Sequence, residues 1–448
     1  MELRTIARHA GTVLVGQLAV MAFSVTDTIV SGRHSEDALA ALSVGSAVYI
    51  SVFVALMGVL QALLPTWAEL HGAQRHHELG RSVRQALYLA ALTVTVGIAA
   101  LLFPGALLRW TEVPPALTSE VERYLAVQAL ALPPALLFRM FSTLNQSLGK
   151  PLLVTWLQTA SLALKVPLTI WFAFGGLGLE GGGAVGCAWA TVAVNYLFFG
   201  IALWLLRTQP LYEPYAIWRR LERPDWTIIG AFARLGVPGG LAIMVEVTSF
   251  TLMSLFIARQ GTLALAAHQV VSNLAGVIYM VPLSLGIATS ARVSYWLGAG
   301  DASRARLAMR TGFKLALGLA VLISVTVELG RHAIAGVYVG NPEVAALAAS
   351  LLAWLAVYHL GDSSQALLVF VLRCYRVAVA PLVAYCVMLW GVGLAGGYLL
   401  AYRGLGPWPA QNSPAAFWAA SMVALLVLAP ILAVILWRAV RRYPQAAA

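Results

Sequence analysis

Charge is what this chain has least of: Asp, Glu, Lys and Arg make up 10% of its 448 residues, against about 25% in ordinary globular domains. With 60% hydrophobic residues and a mean hydropathy of +0.82, a water-soluble fold is excluded. Cysteine is scarce too. Cys187, Cys374 and Cys386 are the only three, and none has partners at metal-ligand spacing, so no disulfide framework or zinc site is implied. Usable enzyme signatures are missing. Gly149-Lys150 is followed by Pro151 where a phosphate loop needs Ser or Thr, no G-x-S-x-G elbow occurs, and His359 stands where an intramembrane aspartyl protease motif has Gly. No enzyme is expected and no cofactor. The first apolar block, Val13 to Val30, is too long for a signal-peptide core and stays as a helix.

What the chain does have is apolar blocks, each long enough to cross a bilayer core of about 30 Å, which takes about 20 residues. About twelve can be marked out. The net charge of +11 would point to nucleic acid in a soluble protein, but here placement decides, and no nucleic-acid partner is expected. Lys and Arg concentrate at the two termini and around the even-numbered connections, as in Arg75, Arg81 and Arg84, Arg219, Arg220 and Arg223, and Arg438, Arg441 and Arg442. By the positive-inside rule both termini are cytoplasmic, which agrees with an even number of spans.

The chain also repeats. Ala38-Leu39-Ala40-Ala41 recurs as Ala264-Leu265-Ala266-Ala267, Gly72-Ala73 as Gly298-Ala299, and Arg84 as Arg310, each displaced by 226 residues (264 minus 38). Six spans per half means that both copies enter the membrane in the same sense, related by a pseudo-two-fold axis along the membrane normal. The expected organisation is an all-α integral membrane protein: an N-lobe over residues 1–206, a cytoplasmic linker over 207–226 carrying Pro210, Pro214 and Pro224, and a C-lobe over 227–448.

A charged side chain at the bilayer centre costs about 2.5–3.5 kcal/mol on insertion scales, so such residues are functional candidates by default. Asp27, Lys165, Glu246 and Asp362 qualify, with His359 one turn before Asp362. Each has a structural alternative. Asp27 lies near Gly32 and could cap a helix end. Lys165 precedes Pro167, whose missing N–H frees a carbonyl that an ammonium could neutralise. His268 and His359 could be satisfied interface residues. The group His71, His76, His77 and Glu78 lacks the H-E-x-x-H order of a zinc helix and reads as a solvated loop.

These residues resemble the multidrug and toxic compound extrusion (MATE) transporters, most closely their NorM-like branch. Thr26-Asp27-Thr28 with Gly32 looks like the family's first helix. Glu246-Val247-Thr248 and Ala266-Ala267-His268-Gln269-Val270 with Asn273 resemble its seventh and eighth, Tyr358, Asp362, Gln365 and Leu372-Arg373 its tenth, and Val166-Pro167-Leu168 with Gly175 its fifth. The resemblance implies a secondary antiporter, exporting organic cations or other amphipathic compounds in exchange for Na+ or H+ by alternating access of two lobes. It also implies roles: Asp27 as the first-lobe carboxylate, and Glu246 and Asp362 as a second-lobe pair that would bind Na+ or H+. Tyr358, His359 and Lys165 complete the candidate coupling and substrate residues. Lys165 departs from the family's usual Asn or Asp, His359 from Gln and Cys374 from Gly. The implied setting is the inner membrane of a bacterium, with small amphipathic substrates and the bilayer as partners and a monomeric chain. Two rival readings share the helix count: a lipid-linked sugar flippase of the same superfamily, and a major-facilitator transporter, whose G-x-x-x-D-R-x-G-R loop is absent after the second span.

Overall fold

In hydrocarbon no water can satisfy a backbone N–H or C=O, so a chain this apolar must close its hydrogen bonds within each span, as a helix does. The computed structural model describes residues 2–105, 115–176, 178–404 and 406–446. Among these, twelve helices are long and apolar enough to cross a membrane: α1 (Glu2–His34), α2 (Glu36–Gly72), α3 (His76–Leu102), α4 (Leu117–Ser147), α5 (Pro151–Phe174), α6 (Gly183–Thr208), α7 (Trp226–Ala258), α8 (Thr262–Gly298), α9 (Ala302–Tyr338), α10 (Pro342–Cys374), α11 (Val379–Tyr402) and α12 (Pro414–Tyr443). The expected count is therefore met. The outer surface is as apolar as lipid requires, with Leu329 82% and Val337 86% exposed on α9.

Local chemistry sets several helix ends. Ser35 caps α2 by accepting the Ala38 N–H at 3.0 Å, and Asn341 caps α10 by accepting from Glu343 and Val344, with Pro342 in the first turn. α5 stops at Gly175, whose φ of +83° suits glycine, and a two-residue hairpin of β1 (Gly175–Gly176) and β2 (Leu179–Glu180) follows. α11 carries a π-helical stretch over Cys386–Ala395.

The chain forms two compact units, residues 11–240 with 298–300, and residues 1–10, 241–297 and 301–448. The first is built on Ala41, Leu60, Trp67, Leu125 and Leu132, all at or near zero exposure, and Trp67 donates its indole N–H to Ser82 at 3.0 Å. The second is built on Leu352, Leu372, Phe417, Trp418 and Leu425. Within it Arg292 holds the Glu2 carboxylate through bonds of 2.5 and 3.0 Å, fixing the chain's first turn.

The linker after α6 belongs to the first unit and is strapped down within it. The Arg84 guanidinium, nearly buried, donates to both oxygens of Glu222 at 2.5 and 3.1 Å and to the Ala216 carbonyl at 2.7 Å. Gln85 holds both Arg223 O and Asp225 N–H, and Tyr88 donates to Glu222 O at 2.7 Å. The hydrogen bond from Arg84 holds the Glu222 carboxyl below the ordinary carboxylate range. On α3, Gly80 lies where any Cβ would collide with the Tyr215 carbonyl. Gly80→Ala is therefore expected to lift the linker and cost about 1–3 kcal/mol. Gly200→Ala, which meets nothing within 4 Å, should be neutral or slightly stabilising by comparison. Thermal unfolding of the purified variants in detergent measures both.

Candidate functional site

Among the described residues the buried acidic side chains are Asp27 and Asp362, one inside each unit. In the first unit Asp27 on α1 is 8% exposed and Lys165 on α5 not at all. Lys165 Nζ lies 2.8 Å from Asp27 Oδ1 and donates to Thr191 Oγ1 at 2.7 Å and to the Cys187 carbonyl at 3.0 Å. An ammonium has three N–H donors, and these acceptors take all of them. Thr169 donates its hydroxyl to Asp27 Oδ1 at 3.4 Å. The spacing explains how two helices supply so many partners: Lys165 and Thr169 are one turn apart on α5, Cys187 and Thr191 one turn apart on α6, so each pair shares a face. Lys165 is thus not a mate for the carbonyl that Pro167 frees, since its partners lie on α1 and α6. Nor does Asp27 cap an end, because α1 runs on to His34.

The second unit brings together Glu246 on α7 with Asp362 on α10. Gln365, fully buried, donates to Asp362 Oδ1 at 3.0 Å and lies near Glu246 as well. The hydroxyls of Tyr279, Tyr358 and Tyr385 lie within electrostatic reach of both. Among the described residues neither carboxyl has an ion-pair partner. Glu246 borders a pocket walled by Ser249, Phe250, Met253, Tyr358, Trp418, Ser421, Leu389 and Leu394. Phe250, Tyr358 and Trp418 pack edge to face, with ring centroids 5.7–6.2 Å apart. Two carboxyls beside a largely apolar wall are costly to keep ionised without a counter-charge.

Of the residues singled out from the sequence, Asp27 and Lys165 form one cluster, and Glu246, Asp362 and Tyr358 the other. His359 belongs to neither: it is buried on α10, off the pocket wall, and neither ring nitrogen is hydrogen-bonded among the described residues. His268 is an interface residue, with Nε2 2.8 Å from Ser254 Oγ and its ring on Trp418. Glu78 pairs with Arg75 at the surface, and no three His, Cys, Asp or Glu among the described residues are placed to hold a metal. Sequence reasoning missed Thr169, Thr191, Ser249, Phe250, Met253 and Trp418 as site residues. Helical spacing was the available signal for some of them, since Glu246, Ser249, Phe250 and Met253 follow the i, i+3, i+4, i+7 rule for one face.

The comparisons with known proteins converge. The sequence model of the MatE family matches residues 13–171 and 238–399. The chain is similar to the "Probable multidrug resistance protein NorM" of Aromatoleum aromaticum, 38% identical over 439 residues, 98% of this chain and 94% of that protein. It is also similar to the "Multidrug resistance protein PmpM" of Pseudomonas aeruginosa, 32% identical over 452 residues, 99% of this chain and 92% of that protein. Among solved structures, the eukaryotic MATE transporter AtDTX14 superposes with a TM-score of 0.87 at 19% identity, covering 100% of this chain and 99% of that one. The Vibrio cholerae MATE transporter VcmN, in its bent form, gives 0.85 at 17% identity, covering 98% of this chain and 97% of that one. The chain is therefore a membrane transporter, not an enzyme, and belongs to the MatE family.

Proposed function

We propose that this transporter is a secondary antiporter that exports organic cations or other amphipathic compounds in exchange for inward Na+ or H+. Its setting is the inner membrane of a bacterium, with both termini and the linker on the cytoplasmic side, where the excess of Lys and Arg belongs. The observation that carries this reading is the pair Glu246 and Asp362: two neighbouring carboxyls without an ion-pair partner among the described residues, Glu246 at the edge of an aromatic pocket. The names of the relatives, multidrug resistance proteins, support the substrate class.

The physical logic is competition for a counter-charge. An acidic group held away from bulk water needs a cation, and a proton, a sodium ion or a cationic compound each supplies one. If occupancy by the ion and by the substrate exclude each other, inward ion flow drives substrate outward, aided by about 2.3 kcal/mol per charge per 100 mV. Asp27 stands differently, because Lys165 already neutralises it. A proton or cationic substrate arriving at Asp27 must displace that ammonium, so Asp27 responds to substrate or proton while Glu246 and Asp362 carry the coupling ion.

Two outcomes check this division. Glu246→Gln and Asp362→Asn should each slow efflux of a fluorescent cation from vesicles by about tenfold or more, equivalent to about 1.4 kcal/mol. The driving gradients of sodium and of pH are imposed separately, and full-rate efflux by either variant would overturn the assignment. For the other cluster, Lys165→Met alone leaves a buried carboxylate uncompensated and should cost about 3–5 kcal/mol. Asp27→Asn/Lys165→Met should recover most of that loss. A double variant no more stable in thermal unfolding than Lys165→Met would show that the two residues do not act as a pair.

A further inference from the structure

The linker's inner contacts leave its outer chemistry unused. Glu222 and Asp225 are committed to Arg84 and Arg81. Arg219, Arg220 and Arg223 are exposed, as is Glu213, so the linker's solvent-facing charge is net positive. Three large apolar side chains are exposed alongside them: Trp218 at 53%, Leu221 at 48% and Trp226 at 75%. Trp218 is held there by its local contacts. Its indole N–H donates to the Leu206 carbonyl at the end of α6, 3.0 Å away, and the Arg207 guanidinium lies 6.0 Å from its ring. The ring's polar atom is satisfied by the protein while half its surface is not covered by it.

Tryptophan with guanidinium groups at the ends of two membrane-crossing helices is the composition of a lipid headgroup contact. The rings suit the boundary between acyl chain and headgroup, and the cations suit lipid phosphate. An acidic protein partner would meet the same cations, but it would not require indole rings at the ends of α6 and α7. We propose that the linker between α6 and α7 is a docking surface for anionic phospholipids, with Trp218, Leu221 and Trp226 seated at the boundary and Arg219, Arg220 and Arg223 holding headgroup phosphates. Because Arg84, Gln85 and Tyr88 fix the linker within its unit, this surface is formed before any lipid arrives.

The test uses the full chain in nanodiscs of three parts phosphatidylcholine to one part phosphatidylglycerol, followed by gentle release and native mass spectrometry of retained lipid. The wild type should retain phosphatidylglycerol in preference to phosphatidylcholine. R219Q/R220Q/R223Q should lose at least half of that preference, and R219K/R220K/R223K should keep most of it. Raising the salt concentration should strip the lipid from the wild type as well, which reads the same contact without any substitution. Unchanged phosphatidylglycerol retention in the Gln variant overturns the proposal, as does retention in the wild type that is insensitive to salt. Equal loss in the Gln and Lys variants also overturns it, by showing that the arginines shape the linker and do not bind phosphate. Transport by the Gln variant in vesicles of phosphatidylcholine alone should match the wild type, which separates lipid binding from misfolding.

Discussion

A charge taken out of water has to be answered by another charge or by a proton, and that constraint organises the interior of this transporter. The chain places few ionisable residues within its spans, and the structure accounts for the principal ones by neighbourhood. Lys165 answers Asp27, with Thr191 and the Cys187 carbonyl completing the ammonium's shell. Glu246 and Asp362 have an amide and tyrosines around them and, among the described residues, no ion-pair partner.

The two units therefore solve one electrostatic problem in opposite ways. In one, the counter-ion is covalently attached, always present at full effective concentration, and cannot diffuse away. In the other, neither carboxyl has an ion-pair partner among the described residues. This difference between the two carboxylate clusters lies at a single position on α5, Lys165.

Much of this was legible in the amino-acid order. Spans are legible because lipid imposes length and apolarity on every helix, and the polar exceptions stand out against that background. Partners along one helix are legible from turn spacing, as with Tyr358, Asp362 and Gln365 on α10. Partners across helices are not. Nothing local to Lys165 says that its side chain reaches α1 rather than the carbonyl beside Pro167, because that depends on how α1, α5 and α6 pack. His359 shows the converse limit of reading along one helix. It sits beside Tyr358 in sequence, yet adjacent residues on a helix point about 100° apart, and only one of them borders the pocket.

The π-helical stretch of α11, Cys386–Ala395, contributes Leu389 and Leu394 to the wall beside Glu246. Bonding i to i+5 stores a surplus residue relative to an α-helix. If that surplus passes along the chain, the segment it leaves turns by about 100° about the helix axis, while the number of backbone hydrogen bonds hardly changes. Leucine side chains could in this way be swung off the carboxyl and returned to it without melting the span, a screw motion available to a helix that has no room to unfold in oil.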